Sequence, residues 1–154
     1  MWNPVTPQQI LTGFSPQEIA FLQNNLGGQQ AALDAITPII SDEIAALQGA
    51  VIAGGSQQGP VGTVPDQLRP DLVAIVRWRL LLTYPSLKSL QTDSRKDAFA
   101  RAQEKISEVA NGRLKVELPP ASQAQVNPAP VNAVQTVRPG RHVTTHEFDK
   151  LGST

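Results

Sequence analysis

The chain has 154 residues, 40% of them apolar, and its 13 Lys and Arg residues balance 13 Asp and Glu residues. A chain of this length suits one compact domain with an appendage, and its zero net charge provides no large field of one sign for holding a polyanion or an anionic membrane. The absence of cysteine excludes disulfide bonds, thiolate metal sites and cysteine nucleophiles.

The N-terminal sequence MWNPVTPQQI lacks the basic stretch and the apolar run of a secretion signal. No stretch approaches the ~20 consecutive apolar residues that a membrane-spanning helix needs. The sequence therefore predicts a soluble protein that is made in the cytoplasm and has no membrane partner.

Two helix starts near the N-terminus, VTPQQI and FSPQEI, follow the same pattern. In each, a hydroxyl residue can cap the helix, a proline fills the first helical position, and Gln or Glu three residues after the cap closes a capping box. We expect a short helical turn at about 7–11 and a helix at about 16–25, which Gly27 and Gly28 end.

The next segment, residues 29–55, predicts the longest helix, of about seven turns, ending at the glycines 54 and 55. Apolar residues recur there at steps of three and four and form one face. They are Leu33, Ile36, Ile40, Ile44, Leu47 and Val51. Because Pro38 removes one backbone hydrogen bond, we expect either a kink before it or a restart with Thr37 as the cap.

Residues 54–65 hold four glycines and two prolines and no charge, which predicts a mobile loop. A phosphate-binding loop would need a Gly-Lys-Ser/Thr sequence, and none follows. Residues 66–83 are then apolar almost all round, so they predict the central core helix, which Pro85 ends.

Arg77 and Arg79 flank Trp78 within that helix. Residues two apart on a helix point about 200° apart, so the two arginines cannot form one nucleic-acid patch. They either pair with carboxylates at an edge of the core or form ion pairs with a neighbouring subunit.

An amphipathic helix is predicted from Thr92 or Ser94 to Ala110, with Asn111-Gly112 as a left-handed cap. Residues 113–118 then alternate polar and apolar with the period of a half-buried strand. This strand has no obvious partner in its own chain, so we expect it to pair between subunits. The residues predicted to take part in this inter-subunit strand are Leu114, Val116 and Leu118.

The composition changes at residue 119. Residues 119–137 contain four prolines and no charge, so they cannot form a core of their own. In polyproline geometry they would span on the order of 60 Å. The sequence therefore predicts a helical domain at 1–118 and an extended arm at 119–154 that reaches other subunits or proteins.

The arm contains both histidines, His142 and His146, followed by Glu147. A shared metal would require a helix, but the β-prone residues around them favour an extended chain, in which the imidazoles lie about 13 Å apart. We therefore predict a docking segment, in which the histidines lend pH sensitivity, and no metal site. The predicted partner-binding residues are Val126, Val131, Val134, Val137, Arg138, Arg141, His142, Val143, Phe148 and Leu151.

The remaining polar residues form no catalytic set. There is no thiol, the histidines lie in the arm, and the carboxylates are scattered over caps and exposed helix faces. We expect neither enzyme activity nor a cofactor.

Two pieces of sequence, LRPDLVAIVRWRLL and ANGRLKV, lie within a region that resembles a known family. Over roughly residues 5–118 the chain resembles the small head-tail connector (adaptor, or head completion) proteins of long-tailed bacteriophages, especially those of Mu-like phages. This resemblance implies a mainly α fold, namely a bundle of about four helices with a short strand after the last helix and an extended arm.

The resemblance also implies a structural protein of the virion neck. Such proteins form a dodecameric ring on the portal protein, extend the channel through which DNA passes as cargo, and contact the next neck or tail-terminator protein. The arm would clamp the portal or a neighbouring copy. Two alternatives stay open: another neck or tail-completion protein, and a helical DNA-binding or regulatory module, which would need a basic face.

Overall fold

A computed structural model describes residues 1–119, and residues 120–154 lie outside it. The fold is mainly α, as predicted. The elements are β1 (Trp2–Pro4), α1 (Pro7–Leu11), α2 (Pro16–Leu26), α3 (Gln29–Ala53), β2 (Thr63–Pro65), α4 (Arg69–Thr83) and α5 (Asp93–Ala110). Short 3₁₀ helices precede α4 at Asp66–Leu68 and follow it at Pro85–Leu90.

Both predicted capping boxes form. The backbone amide of Gln9 donates to Thr6 Oγ1 at 3.4 Å, and the Thr6 amide donates back to Gln9 Oε1 at 3.2 Å. At α2, the Ser15 amide donates to Glu18 Oε2 at 2.8 Å. These bonds satisfy amides that have no partner within a helix, so they fix where both helices begin.

Helix α3 runs through Pro38 without a break. The Thr37 hydroxyl donates to the Leu33 carbonyl at 2.9 Å and so bonds within the helix rather than capping a new one. The predicted restart at Thr37 is therefore wrong. Pro38 is exposed, so water can satisfy the carbonyl that lacks its backbone donor.

The core lies where α3, α4 and α5 pack against one another. Helix α4 buries six apolar residues and is the central helix, as predicted. They are Leu72, Val73, Ile75, Val76, Leu80 and Leu81. The predicted apolar face of α3 is buried against it, apart from half-buried Leu33.

Residues 113–118 form no strand within the single chain, and their predicted pairing between subunits stays a prediction. A strand needs a hydrogen-bonded neighbour, and within residues 1–119 the only strand pair is β1 with β2, antiparallel, with Trp2 opposite Pro65. Leu114 and Val116 pack against their own core, whereas Leu118 is 67% exposed.

The glycine-rich segment before β2, predicted to be mobile, is tied to α3 by a buried amide. Gln48 Nε2 donates to the carbonyls of Pro60 and Thr63, both at 3.0 Å. Gln58 Nε2 in turn donates to Gln48 Oε1 at 3.0 Å. Gln48 thereby positions the residues that enter β2.

By length and composition, α3 could cross a membrane, contrary to the expectation from sequence. The buried helix of a soluble bundle passes the same test, and α3 buries the polar residues Glu43 and Gln48 as well as its apolar face. The contacts of α3 with α2, α4 and α5 give it the role of a core helix.

Candidate functional site

The chain leaves the helical body through residues 113–119, which we call the exit segment. Side chains from distant parts of the chain hold it. Trp2 Nε1 donates to the Glu117 carbonyl at 3.0 Å, and Gln67 Nε2 donates to the Lys115 carbonyl at 3.3 Å. With Val116 buried between them, these contacts fix where the arm begins.

The backbone amides of the exit segment divide into two groups. Those of Arg113 and Leu114 donate to the Glu108 carbonyl, at 2.9 and 3.2 Å, and close the end of α5 with Gly112 in the left-handed region at φ 69°. Those of residues 115–118 donate to no backbone carbonyl within residues 1–119. Such amides can pair with another chain by strand addition.

Arg77 lies against the first helix and points away from Arg79. Its Nε donates to the Ile10 carbonyl at 2.8 Å, and its Nη2 donates to the Gln9 carbonyl at 3.3 Å. The guanidinium packs on the backbone of Gly13, where any side chain would overlap it. Glycine at this position allows a close approach of the guanidinium that the sequence pattern did not reveal, and a side chain there would displace Arg77.

The positive charge of Arg77 has no carboxylate partner within residues 1–119. Burial lowers the pKa of the Arg77 guanidinium, and the charge of nearby Arg95 lowers it further. The predicted ion pair between Arg77 and a neighbouring subunit stays a prediction, and the structure leaves this charge without a counter-ion in the described part of the chain.

Two adjoining surface grooves share the Arg77 side chain. The larger, of about 360 Å³, we call the arginine groove. It is lined by Gln9, Thr12, Arg69, Pro70, Val73 and Arg77. The second, of about 200 Å³, is lined by Gly13, Ala74, Arg77, Ser94, Arg95 and Ala98. Arginine and small or apolar side chains together suit an acidic peptide better than an apolar ligand.

Arg79, unlike Arg77, forms an ion pair with a carboxylate of its own chain. Its Nε lies 2.7 Å from Glu43 Oε1, and Glu43 is buried whereas the Arg79 side chain is 55% exposed. Burial raises the pKa of the Glu43 carboxyl, and the charge of Arg79 opposes that rise. Arg79 thus has a carboxylate in its own chain, and this contact does not require a second subunit.

A further arginine cluster was missed in the sequence. Arg95 Nη2 contacts both carboxylate oxygens of Glu18 at 2.9 Å, and its Nη1 donates to the Leu90 carbonyl at 2.6 Å. The guanidinium also lies over the Phe14 ring, 4.6 Å from its centroid. Glu18 was recognised as a capping residue, but no local pattern connects it with a residue 77 positions away.

The remaining predicted site residues lie outside the described part of the chain. These are the arm positions between Val126 and Leu151, including His142, together with His146. Within residues 1–119, no group of three or more His, Asp or Glu residues could hold a metal ion.

Residues 5–135 match the protein family described as Bacteriophage Mu, Gp36. This match covers most of the chain, including α1 to α5, the exit segment and the first part of the arm. The chain matches no curated protein and no solved structure. It therefore belongs to the bacteriophage Mu Gp36 family, a family of phage proteins associated with the virion and its morphogenesis.

Proposed function

We propose that the chain is a head-tail connector, or adaptor, of the virion neck. Copies of it form a ring that docks on the portal protein and extends the channel through which DNA passes. The opposite side of the ring contacts the next neck or tail-terminator protein. The role is structural and not enzymatic, and the arm at 119–154 clamps the portal or a neighbouring copy.

The exit segment carries this proposal. Hydrogen bonds from Trp2 and Gln67 attach it to the helical body. Its amides at 115–118 have no backbone acceptor in the described chain. The uncharged residues 119–137 follow directly. A positioned exit segment followed by a long, polar, proline-containing sequence is typical of a segment that binds another protein or another copy of the chain. The family match extends through residue 135, so the start of the arm belongs to the family's sequence pattern.

The charge of the chain supports DNA as cargo and not as a tight ligand. Lysine and arginine together equal aspartate and glutamate in number. Within residues 1–119, Arg69, Arg79 and Arg95 lie within ion-pair distance of carboxylates, as does Lys105 with Asp71. A channel that DNA must traverse benefits from weak binding, because each phosphate neutralised by a fixed cation would hold the duplex in place.

The proposal is tested by copurification of the chain with purified portal rings. We expect the full chain to bind the portal and a chain lacking residues 120–154 to lose that binding. Circular dichroism of the truncated chain controls for folding, because every helix of the structure ends before residue 111. Failure of the full chain to bind contradicts the connector role, and equal binding by the truncated chain contradicts the role of the arm.

The alternative functions give different results. Another neck or tail-completion protein would copurify with the virion but bind a component other than the portal. A DNA-binding or regulatory module would shift duplex DNA in a gel, with an affinity that falls steeply as salt is raised.

A further inference from the structure

The arginine groove holds two cationic side chains whose hydrogen-bonding capacity is not fully used. Arg77 donates from Nε and Nη2 to the backbone of α1, and a guanidinium has five N–H donors. Three of its donors therefore have no acceptor among residues 1–119. Because the side chain is half-buried, water compensates its charge less completely than it would on an open surface.

Arg69 gives an independent indication on the same groove. Its Nη2 lies 3.6 Å from Asp66 and donates weakly to the Pro4 carbonyl at 3.4 Å. Its Nε is buried without any hydrogen-bond partner in the described chain. A buried donor without an acceptor is unfavourable, so an incoming oxygen that draws the Arg69 side chain towards the groove would relieve that cost.

The occupant must bring carboxylates and an apolar group, since Pro70 and Val73 line the groove between the cations. The arm contains only two acidic residues, Glu147 and Asp149, and they flank Phe148. Carboxylates bind guanidinium groups by charge-assisted and often bidentate hydrogen bonds, and an aromatic ring covers apolar surface at little entropic cost.

We propose that the arginine groove of one copy binds the segment Glu147–Asp149 from the arm of another copy. The carboxylates pair with Arg77 and Arg69, and the Phe148 ring packs on the apolar lining. The inference rests on the proposed assembly into a ring, and it names the contact that joins neighbouring copies.

Chain length allows this contact. Glu147 lies 28 positions after the end of the described chain at 119, and in polyproline geometry these 28 steps span up to about 87 Å. A folded body of this size has a radius of gyration of roughly 14 Å. The arm is therefore long enough to pass its own body and reach the next subunit of a ring.

The direct test uses a fluorescent peptide covering residues 142–152 and a full chain carrying Glu147→Gln and Asp149→Asn, whose own arm does not compete. We expect saturable binding by fluorescence anisotropy that weakens as salt is raised. The same two substitutions in the peptide should weaken binding at least about tenfold, since each removes a charge-assisted bond.

The groove variant is Arg69→Gln, because Arg77 also supports α1 and its loss could disturb folding. Arg69→Gln should weaken peptide binding about tenfold, and the exposed Arg113, replaced by Gln, serves as the matched control and should leave it unchanged. Thermal unfolding of both variants confirms that they are folded. No binding, or equal binding by both variants, would overturn the inference.

The oligomeric state of the unsubstituted chain separates binding to another copy from binding to the same copy. Analytical ultracentrifugation of the unsubstituted chain should show association between copies, and the Glu147→Gln/Asp149→Asn chain should stay monomeric. If the peptide binds but the unsubstituted chain is monomeric, the groove holds its own arm and the proposed contact between copies is wrong.

Portal copurification distinguishes this inference from the proposed function. A chain that binds the portal but whose groove does not bind the peptide keeps the connector role and contradicts the groove contact. A chain whose groove binds the peptide but that does not bind the portal keeps the groove contact and contradicts the connector role.

Discussion

The helical core and the arm end of the body are held together in different ways. In the core, α3, α4 and α5 pack against one another through fully buried aliphatic side chains such as Ile36, Val76 and Leu80. At the arm end, the exit segment buries Val116 and is otherwise positioned by hydrogen bonds from Trp2 and Gln67. Apolar burial on several helices stabilises the first region, whereas one buried side chain and a few directed bonds position the second.

This difference separates folding from assembly. Burial of a large side chain contributes several kcal/mol, whereas one neutral hydrogen bond contributes about 1 kcal/mol net. We therefore expect the arm end to open or exchange partners at a smaller cost than the core, which maintains the fold. We expect substitutions in the core to change global stability, and substitutions at the arm end to change the exit segment first.

The largest effect is expected in the core. Leu80→Ala removes a fully buried side chain between the helices and should lower the free energy of unfolding by about 2–5 kcal/mol. The control, Leu82→Ala, removes a neighbouring side chain that is 55% exposed and should change it by no more than about 0.5 kcal/mol. Urea unfolding followed by circular dichroism measures both, and similar losses would contradict the assigned packing of α4.

A smaller effect is expected at the contact between α2 and α5. Glu18→Gln keeps a side chain that can close the capping box but removes the charge that pairs with Arg95. Because both side chains are only partly exposed, we expect a loss of about 1 kcal/mol. Glu104→Gln, at an exposed position of α5, is the control in the same urea experiment. An unchanged free energy of unfolding for Glu18→Gln would mean that the ion pair between Glu18 and Arg95 does not stabilise the fold.

At the arm end, Trp2→Phe removes the indole donor to the Glu117 carbonyl. We expect it to loosen the exit segment and to speed tryptic cleavage after Lys115 roughly fivefold, the equivalent of about 1 kcal/mol. Cleavage after Lys96, within α5, serves as the internal control. Equal acceleration at both lysines would indicate global destabilisation and contradict a local role for Trp2.

The smallest expected effect is on the pH dependence of stability, to which Glu18 and Glu43 contribute with opposite signs. A hydrogen bond from the Ser15 amide and then the charge of Arg95 lower the pKa of Glu18. The contribution of Glu18 to stability is therefore present above its pKa in the unfolded chain, and it is lost as pH falls through its pKa in the folded protein. Burial raises the pKa of Glu43, so its contribution is present below its unfolded pKa and is lost as pH rises through the folded value. Carboxyl chemical shifts in an NMR titration measure both, and a Glu43 pKa below that of Glu18 would contradict these environments.

Local patterns predicted the elements whose causes lie within a few residues. Thr6 and Ser15 formed the expected capping boxes, and the apolar periodicity around Ile40 and Ile44 located the buried face of α3. The family resemblance was confirmed by the match over residues 5–135. Each of these signals lies within one continuous stretch of sequence.

Contacts between distant residues could not be predicted in the same way. The alternation at 113–118 indicated a strand, but pairing depends on a neighbour, and residues 1–119 of a single chain do not supply one for this segment. The approach of Arg77 to Gly13 and the bond from Arg95 to Glu18 likewise depend on the packing of α1, α2, α4 and α5. The candidate site consists mostly of such contacts, so its composition became visible only in the structure.

The central claim is that this chain forms a ring on the portal in the virion neck. Cryo-electron microscopy of intact virions, with the structure of residues 1–119 fitted to the neck density, tests it most directly. We predict a ring of copies between the portal and the next neck or tail-terminator protein, with the exit segment directed at the portal or a neighbouring copy. Neck density that is accounted for without this chain, or its presence at another place in the virion, would contradict the claim.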